Sequence, residues 1–116
     1  MENSKFSIYM NAGQLFSNSQ KAMTVQNSKK IGEMKEGRVI YSMFEALYLI
    51  ETGKADIIKD DNKLDKENII KNFSKKDKEF LTKYIVFKEL RKKGYIVKAG
   101  LKFGGEFRVY SKNNFD

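Results

Sequence analysis

Apolar and polar positions alternate or recur with helical spacing in several stretches of the chain, and these stretches predict its elements. Phe6–Met10 alternates and predicts a short strand, which ends at Asn11, Ala12 and Gly13. Residues 17–38 are polar, punctuated by glycine and only weakly periodic, which predicts mostly loop with one short helix. The chain is therefore expected to begin with a strand and to continue with little regular structure.

The first clearly delimited helix begins at Ser42. Ser42 and Glu45 have the spacing of a capping box, in which each side chain can bond the backbone N–H of the other residue. Gly53 can adopt the left-handed backbone conformation that ends a helix. Lys54–Ile58 then predicts a short strand, followed by a turn at residues 59–62. The first half is therefore predicted to be a mixed module of strands and one capped helix.

Two more helices are predicted after this strand. Leu64–Phe73 has a helical pattern, with Ile69 and Ile70 as its apolar contacts. Ser74 and Asp77 are predicted to open the next helix, because serine caps helices and a carboxylate suits the first turn. The buried face of that helix is predicted to contain Phe80, Leu81, Tyr84, Ile85 and Leu90.

The last part of the chain predicts two strands around a glycine-rich turn. Gly94 closes the preceding helix, and Tyr95–Ala99 and Glu106–Tyr110 then alternate. The elements together predict a mixed α+β fold. It divides into an N-terminal module at residues 1–70 and the start of an α/β module at residues 74–116.

The composition narrows the class of protein. The chain has 116 residues, of which 41% are hydrophobic and 13% aromatic, enough for a packed core. It contains no cysteine and no histidine, so we expect no disulfide, no metal site and no cofactor. No signal-peptide pattern opens the chain, and no run approaches the roughly 18 apolar residues of a membrane span. We therefore expect a soluble cytoplasmic protein.

The net charge of +8 is unevenly distributed. Residues 1–70 carry 10 basic and 10 acidic side chains, whereas residues 71–116 carry 13 basic and 5 acidic ones. Such a one-sided field attracts polyanions and favours contacts with phosphates. The alternative is a lysine-rich surface of the kind common in heat-adapted or low-GC proteomes.

Three stretches, taken in order, resemble the archaeal-type tRNA-splicing endonucleases. They are residues 42–53 (SMFEALYLIETG), 84–94 (YIVFKELRKKG) and 97–110 (VKAGLKFGGEFRVY). The resemblance implies that residues 1–70 correspond to the N-terminal module of that family. It also implies that residues 74–116 are the start of a restriction-nuclease-like α/β catalytic module, cut short after Tyr110.

The resemblance implies a reaction as well. The family excises introns from precursor tRNA at a bulge–helix–bulge without a metal, leaving 2′,3′-cyclic phosphate and 5′-hydroxyl ends. A tyrosine serves as general base, a histidine as general acid, and a lysine stabilises the charged transition state. Tyr110 stands at the position of the tyrosine and is the catalytic candidate. Since free tyrosine has a pKa of about 10, neighbouring cations must favour the phenolate. The candidates for this role and for RNA binding are Lys98, Lys102, Arg108 and Lys112.

The sequence departs from the family pattern beyond Tyr110. The histidine and the lysine of the family would lie past Asp116, and the chain has no histidine. We expect precursor tRNA and a second endonuclease subunit, which supplies the missing histidine and lysine, as partners in an oligomer. The chain could be half of a split enzyme, a structural subunit, or an artificially shortened piece.

Two alternative functions remain open on the sequence. A non-catalytic subunit would assemble with a catalytic partner and position it, and a plain basic module would only bind RNA. In either case Tyr110 would be a strand-end aromatic that packs on the core. The unfinished sheet is also expected to expose an edge after Glu106–Tyr110, which would pair with a strand of another chain.

Overall fold

A mixed sheet of six strands builds the first part of the protein. The computed structural model describes residues 5–99 and 107–111, and the chain divides into two compact units, Met1–Ile69 and Ile70–Asp116. The strands of the first unit are β1 (Phe6–Asn11), β2 (Gln14–Ser17), β3 (Glu33–Lys35), β4 (Arg38–Tyr41), β5 (Ala55–Lys59) and β6 (Asn62–Lys63). They lie in the order β3-β4-β2-β1-β5-β6, so the first strand in the sequence lies inside the sheet.

Tight two-residue turns join three antiparallel pairs of this sheet. Both residues of each turn have positive φ, the signature of type I′ hairpins, whose twist matches that of the strands. They are Ala12 (52°) and Gly13 (76°), Glu36 (54°) and Gly37 (81°), and Asp60 (51°) and Asp61 (65°). Strands β1 and β5 pair in parallel, and parallel neighbours need a long crossover. The chain makes that crossover through β2, β3, β4 and two helices.

Two helices pack on the sheet within the first unit. They are α1 (Gln20–Lys29) and α2 (Met43–Glu51). The predicted capping box of α2 is confirmed. The Glu45 N–H donates to Ser42 Oγ at 3.1 Å, and the Ser42 N–H donates to Glu45 Oε1 at 3.0 Å. Gly53 follows the helix with φ 75°, so the predicted stop is confirmed too.

One face of the six-stranded sheet forms the core of the first unit. Helix α1 contacts β3 and β4, and α2 contacts β4 and β5. A shift of one residue in register would turn the whole buried set to the other face. The buried side chains that share this face are Phe6, Ile8, Leu15, Ser17, Val39, Tyr41, Ala55 and Ile57.

The prediction of mostly loop at residues 17–38 is wrong. Helix α1 and strands β3 and β4 occupy most of this range. Ser19 caps α1, since its Oγ accepts from the Ala22 N–H at 3.0 Å, and Ala22 is the buried residue of that helix. The three residues of β3 are all exposed. Such elements bury few apolar side chains, so the sequence carries little periodic signal for them.

The second unit contains one long helix and a two-stranded sheet. Helix α3 (Lys66–Lys76) crosses the boundary between the units, and α4 (Phe80–Lys92) follows it. Strands β7 (Ile96–Ala99) and β8 (Phe107–Tyr110) pair antiparallel. The helix predicted at Leu64–Phe73 is confirmed, although it begins and ends two to three residues later. The strands predicted at Tyr95–Ala99 and Glu106–Tyr110 are confirmed over the described residues as β7 and β8.

Aromatic side chains form the core of the second unit. The ring centroids of Phe73 and Phe80 lie 5.3 Å apart, edge to face. Those of Phe80 and Tyr84 lie 5.9 Å apart, and those of Tyr84 and Phe87 lie 6.3 Å apart. All four residues are buried. Large rings at these spacings supply much apolar contact from a short segment.

The predicted start of α4 at Ser74 is wrong, because α3 continues through Ser74 to Lys76. Helix α4 begins at Phe80 instead. Asp77 lies in the connection between the helices, where its Oδ1 accepts from the Glu79 N–H at 2.9 Å. The carboxylate thus satisfies a backbone donor just ahead of the helix rather than inside its first turn.

The predicted buried face of α4 is partly wrong. Phe80 and Tyr84 are buried as expected, and Phe87 is buried beside them. Leu81 and Ile85, however, are 46% and 59% exposed. The apolar residues surround much of this helix, so their spacing alone does not determine which side faces the core.

The predicted fold class is confirmed: the protein has a mixed α+β fold with four helices, a six-stranded sheet and a two-stranded sheet among the described residues. The likeness to restriction nucleases and the assignment of residues 1–70 and 74–116 to particular family modules stay predictions. Within residues 5–99 and 107–111, no helix is long and apolar enough to cross a membrane.

Candidate active site

The antiparallel pair β7–β8 carries the predicted catalytic residue. Its register places Ile96 opposite Tyr110 and Lys98 opposite Arg108. Side chains of paired residues, and of residues two apart on a strand, point to the same face. Lys98, Arg108 and Tyr110 therefore share one face of this small sheet.

The other face anchors the strands to α4. Val97 is fully buried there, and the ring centroid of Phe107 lies 5.9 Å from that of Phe87. Gly94, with φ 95°, ends the helix region and lets the chain turn into β7. The site strands are thus fixed on the aromatic core of the unit through the side opposite to Tyr110.

Arg91 helps to hold β7 and was not singled out from the sequence for this role. Its guanidinium Nη2 lies 3.4 Å from the Val97 carbonyl oxygen, and its Cζ lies 5.8 Å from the centre of the Phe87 ring. Its position in the last turn of α4 also sets its charge against the negative end of the helix dipole. Phe87 and Arg91 are four residues apart, and side chains with that spacing are neighbours on a helix, so the spacing was the sequence signal for this contact.

Two cations lie beside the tyrosine. Lys98 and Arg108 are directly opposite each other on the two strands. Tyr110 lies two residues along β8 from Arg108, a spacing of about 7 Å. Arg108 is exposed, while Lys98 and Tyr110 are half-buried, so all three can be reached by a large ligand.

The structure brings together three of the five residues predicted for the site. They are Tyr110, Lys98 and Arg108. The other two, Lys102 and Lys112, lie outside the described residues. Over the described ranges, no group of three or more acidic, histidine or cysteine residues is arranged to hold a metal ion. The site can offer a phenol and two cations to a phosphate-containing ligand.

Comparison with known proteins shows what the chain is similar to. Residues 80–116 match the family model described as the tRNA intron endonuclease, catalytic C-terminal domain. A tRNA-splicing endonuclease of Pyrococcus abyssi is 42% identical over 106 residues, and that of Thermococcus gammatolerans is 39% identical over 105 residues. Each alignment covers 90% of this chain and 62% of the relative.

A third relative, from Nanoarchaeum equitans, is also named tRNA-splicing endonuclease. It is 46% identical over 68 residues, which are 59% of this chain and 44% of the relative. The chain thus spans less than two thirds of the length of these relatives, and the match includes the strands that carry Tyr110. Residues 80–116 thus resemble the catalytic domain of tRNA intron endonucleases, and most of the chain is similar to archaeal proteins named tRNA-splicing endonuclease.

Proposed function

We propose that this chain contributes the catalytic tyrosine to an endonuclease that removes introns from precursor tRNA. One observation carries the proposal. Within the segment that matches the catalytic domain, the register of β7 and β8 sets Tyr110 on the same face as Lys98 and Arg108. A general base next to two cations suits a reaction at a phosphodiester.

Tyr110 acts as general base in this proposal. Its phenolate oxygen takes the proton of the ribose 2′-hydroxyl next to the scissile phosphate, and the ribose 2′-oxygen attacks the phosphorus. The bond from phosphorus to the 5′-oxygen of the next nucleotide breaks as a general acid protonates the leaving oxygen. The products are a 2′,3′-cyclic phosphate and a 5′-hydroxyl, and the step needs no metal.

The cations around Tyr110 stabilise the charge that develops on the phosphate. Arg108 and Lys98 contact the non-bridging oxygens, and the planar guanidinium can engage two of them at once. Lys102 and Lys112 are proposed to extend this positive field. Unit 2 carries the entire net charge of the chain, with 13 basic and 5 acidic residues from position 71 onwards, which supports binding of an RNA backbone there.

A partner completes the site in this proposal. The general acid and a further lysine come from a second endonuclease subunit. The assembled oligomer recognises the bulge–helix–bulge of the precursor.

In a second candidate function, Tyr110 is not needed for the chemistry. In this case the chain is a structural subunit that positions a catalytic partner, and the partner supplies a complete site of its own. Both candidates require the chain for assembly. They differ in whether the chemistry depends on Tyr110.

Cleavage of an intron-containing precursor tRNA in EDTA tests the proposed function. The chain is assayed alone and together with the subunit that co-purifies with it from its native source. We expect excision only from the assembled enzyme. The products should have 3′ ends that resist phosphatase and 5′ ends that polynucleotide kinase labels directly. No cleavage by the assembly, or cleavage only with added magnesium, would contradict the proposal.

A further inference from the structure

The second face of the six-stranded sheet carries a continuous row of side chains. Paired residues point to the same face, so the register can be followed from strand to strand across the sheet. The row runs through β3, β4, β2, β1, β5 and β6 as Glu33, Ile40, Phe16, Tyr9, Ile58 and Lys63. It lies opposite the face of Phe6 and Ile8. Its middle is apolar, with Ile40 buried, and its ends are the acidic Glu33 and the basic Lys63.

Flat groups occupy the centre of this row. Tyr9 and Phe16 face each other across β1 and β2, with ring centroids 5.8 Å apart and planes tilted by 38°. The guanidinium of Arg38 lies over the Phe16 ring, 4.3 Å from its centre, and its Nη2 donates to Gln14 Oε1 at 2.9 Å. Tyr9 is 42% exposed. Three adjacent strands thus present a platform of Tyr9, Phe16 and Arg38, whose most accessible ring is that of Tyr9.

Cations flank the platform on both sides. Lys35 is opposite Arg38 at one edge of the sheet, and Lys63 is opposite Ile58 at the other. Lys5 and Lys63 lie 3.8 Å and 3.6 Å from the same carboxylate of Asp56, so two positive charges share one negative charge. A chain with a negative backbone could lie across this face with its charges over the edges.

We infer that this face of the first unit binds unpaired nucleotides of RNA, with a base stacked on Tyr9. Aromatic rings and arginine planes on a sheet are a general platform for unstacked bases, and flanking cations hold the phosphates. Bases inside a duplex are stacked on each other and cannot reach the rings, so the ligand is single-stranded. The choice of RNA over DNA rests on the proposed function.

The charges argue against a protein as the occupant. Lysine is depleted from protein interfaces relative to the rest of the surface. Here Lys35 lies at one edge of the sheet, and Lys5 and Lys63 lie at the other. An RNA ligand uses both the ring and the cation.

Fluorescence anisotropy with a labelled 12-nucleotide single-stranded RNA of mixed sequence tests the inference on the full chain. Tyr9→Ala should weaken binding roughly 10-fold or more, because one base loses its aromatic partner. Tyr9→Phe keeps the ring and should bind like the wild type. Arg38→Gln should weaken binding and reduce its dependence on salt.

Met34→Ala is the matched control. Met34 is 47% exposed on the same sheet, but its register partner is Val39, on the other face. This variant should keep wild-type affinity, and thermal unfolding of every variant shows that each is folded. The same RNA in duplex form should compete at least 10-fold more weakly than the single strand.

Equal RNA affinity of Tyr9→Ala and the wild type overturns the inference. If this variant also loses a co-purifying protein, the face is a protein interface. Equal binding of duplex and single strand, or equal binding of the matching DNA strand, also contradicts it. The proposed function fails separately. If the assembly does not cleave the precursor but Tyr9 is needed for RNA binding, only the proposed function is contradicted. If the assembly cleaves the precursor but Tyr9 is not needed for RNA binding, only this inference is contradicted.

Discussion

At the scale of single residues, Glu45 connects three parts of the first unit. Its Oε1 accepts from the N–H of Ser42 at 3.0 Å and from Ser42 Oγ at 3.1 Å, and its Oε2 accepts from the Gly32 N–H at 2.7 Å. The side chain is 4% exposed. The carboxylate therefore caps α2 and also fixes the loop that leads into β3. The sequence predicted the cap, but not the contact with Gly32, which is 13 residues away.

Replacement of Glu45 with glutamine should destabilise the protein by about 2 kcal/mol or more. The amide keeps one oxygen but turns a donor towards a backbone N–H that then has no acceptor. Glu51→Gln is the control on the same helix, because Glu51 pairs with the exposed Lys66 at 2.6 Å and should cost less than about 1 kcal/mol. Urea unfolding measures the stability of both variants. Equal losses of stability would show that Glu45 is not a buried cap.

Asp77 should make stability depend on pH. The hydrogen bond from Lys83 Nζ at 2.8 Å, followed by the one from the Glu79 N–H, holds the pKa of Asp77 below its usual value. A depressed folded pKa stabilises the protein above the unfolded pKa, and this stabilisation is lost as the pH falls through the folded pKa. Asp77→Asn should therefore cost about 1 kcal/mol at neutral pH and almost nothing in acid.

The control for Asp77 is Asp60→Asn, in the exposed turn between β5 and β6. Asparagine tolerates the positive φ of 51° at that position, so the substitution should change stability little at any pH. Unfolding curves for the wild type and both variants are compared at neutral and acidic pH. A cost of Asp77→Asn that persists unchanged in acid would contradict the role of the ionised carboxylate.

At the scale of elements, local signals predicted some parts of the fold and tertiary contacts decided the others. Helix α2 was predicted because its cap and its glycine stop are both local. The hairpin of β3 and β4 was missed, although Glu36 and Gly37 form a two-residue turn with positive φ. Its strands are only three and four residues long, and β4 pairs with β2 on its other side. That pairing is not visible in the sequence of either strand.

Neighbouring positions on α4 test which side of the helix is buried. Phe80 contacts the rings of Phe73 and Tyr84 and is fully buried, whereas Leu81 is 46% exposed. Phe80→Ala should cost about 3 to 5 kcal/mol because it leaves a cavity in the core. Leu81→Ala should cost less than about 1 kcal/mol. Thermal unfolding measures the stability of both variants. A larger loss of stability for Leu81→Ala than for Phe80→Ala would show that the helix buries a different side.

The candidate site could be predicted in part. The motif at residues 97–110 placed Tyr110 at the end of a strand, and the structure confirms the strand. The pairing of Lys98 with Arg108 required the register of β7 and β8, which the sequence does not determine. The platform of Tyr9, Phe16 and Arg38 was missed because β2 and β4 were not predicted, so no sheet face could be assembled around these residues.

At the scale of the whole molecule, charge and family likeness concentrate in the same part of the chain. The first unit is neutral, and the second has a net charge of +8. The family model matches residues 80–116, within the second unit. A basic unit with a phenol beside two cations is suited to the backbone of RNA. The neutral unit would contribute through base stacking, which depends little on net charge.

The most direct test of the central claim is the rate of precursor tRNA cleavage by the assembled enzyme carrying Tyr110→Phe. Tyr95→Phe is the control, because Tyr95 is an exposed tyrosine of the same unit that lies just ahead of β7. Loss of the base should lower the single-turnover rate roughly 100-fold or more, while the control keeps the wild-type rate. Equal rates for wild type and Tyr110→Phe would contradict the account and make this chain a structural subunit.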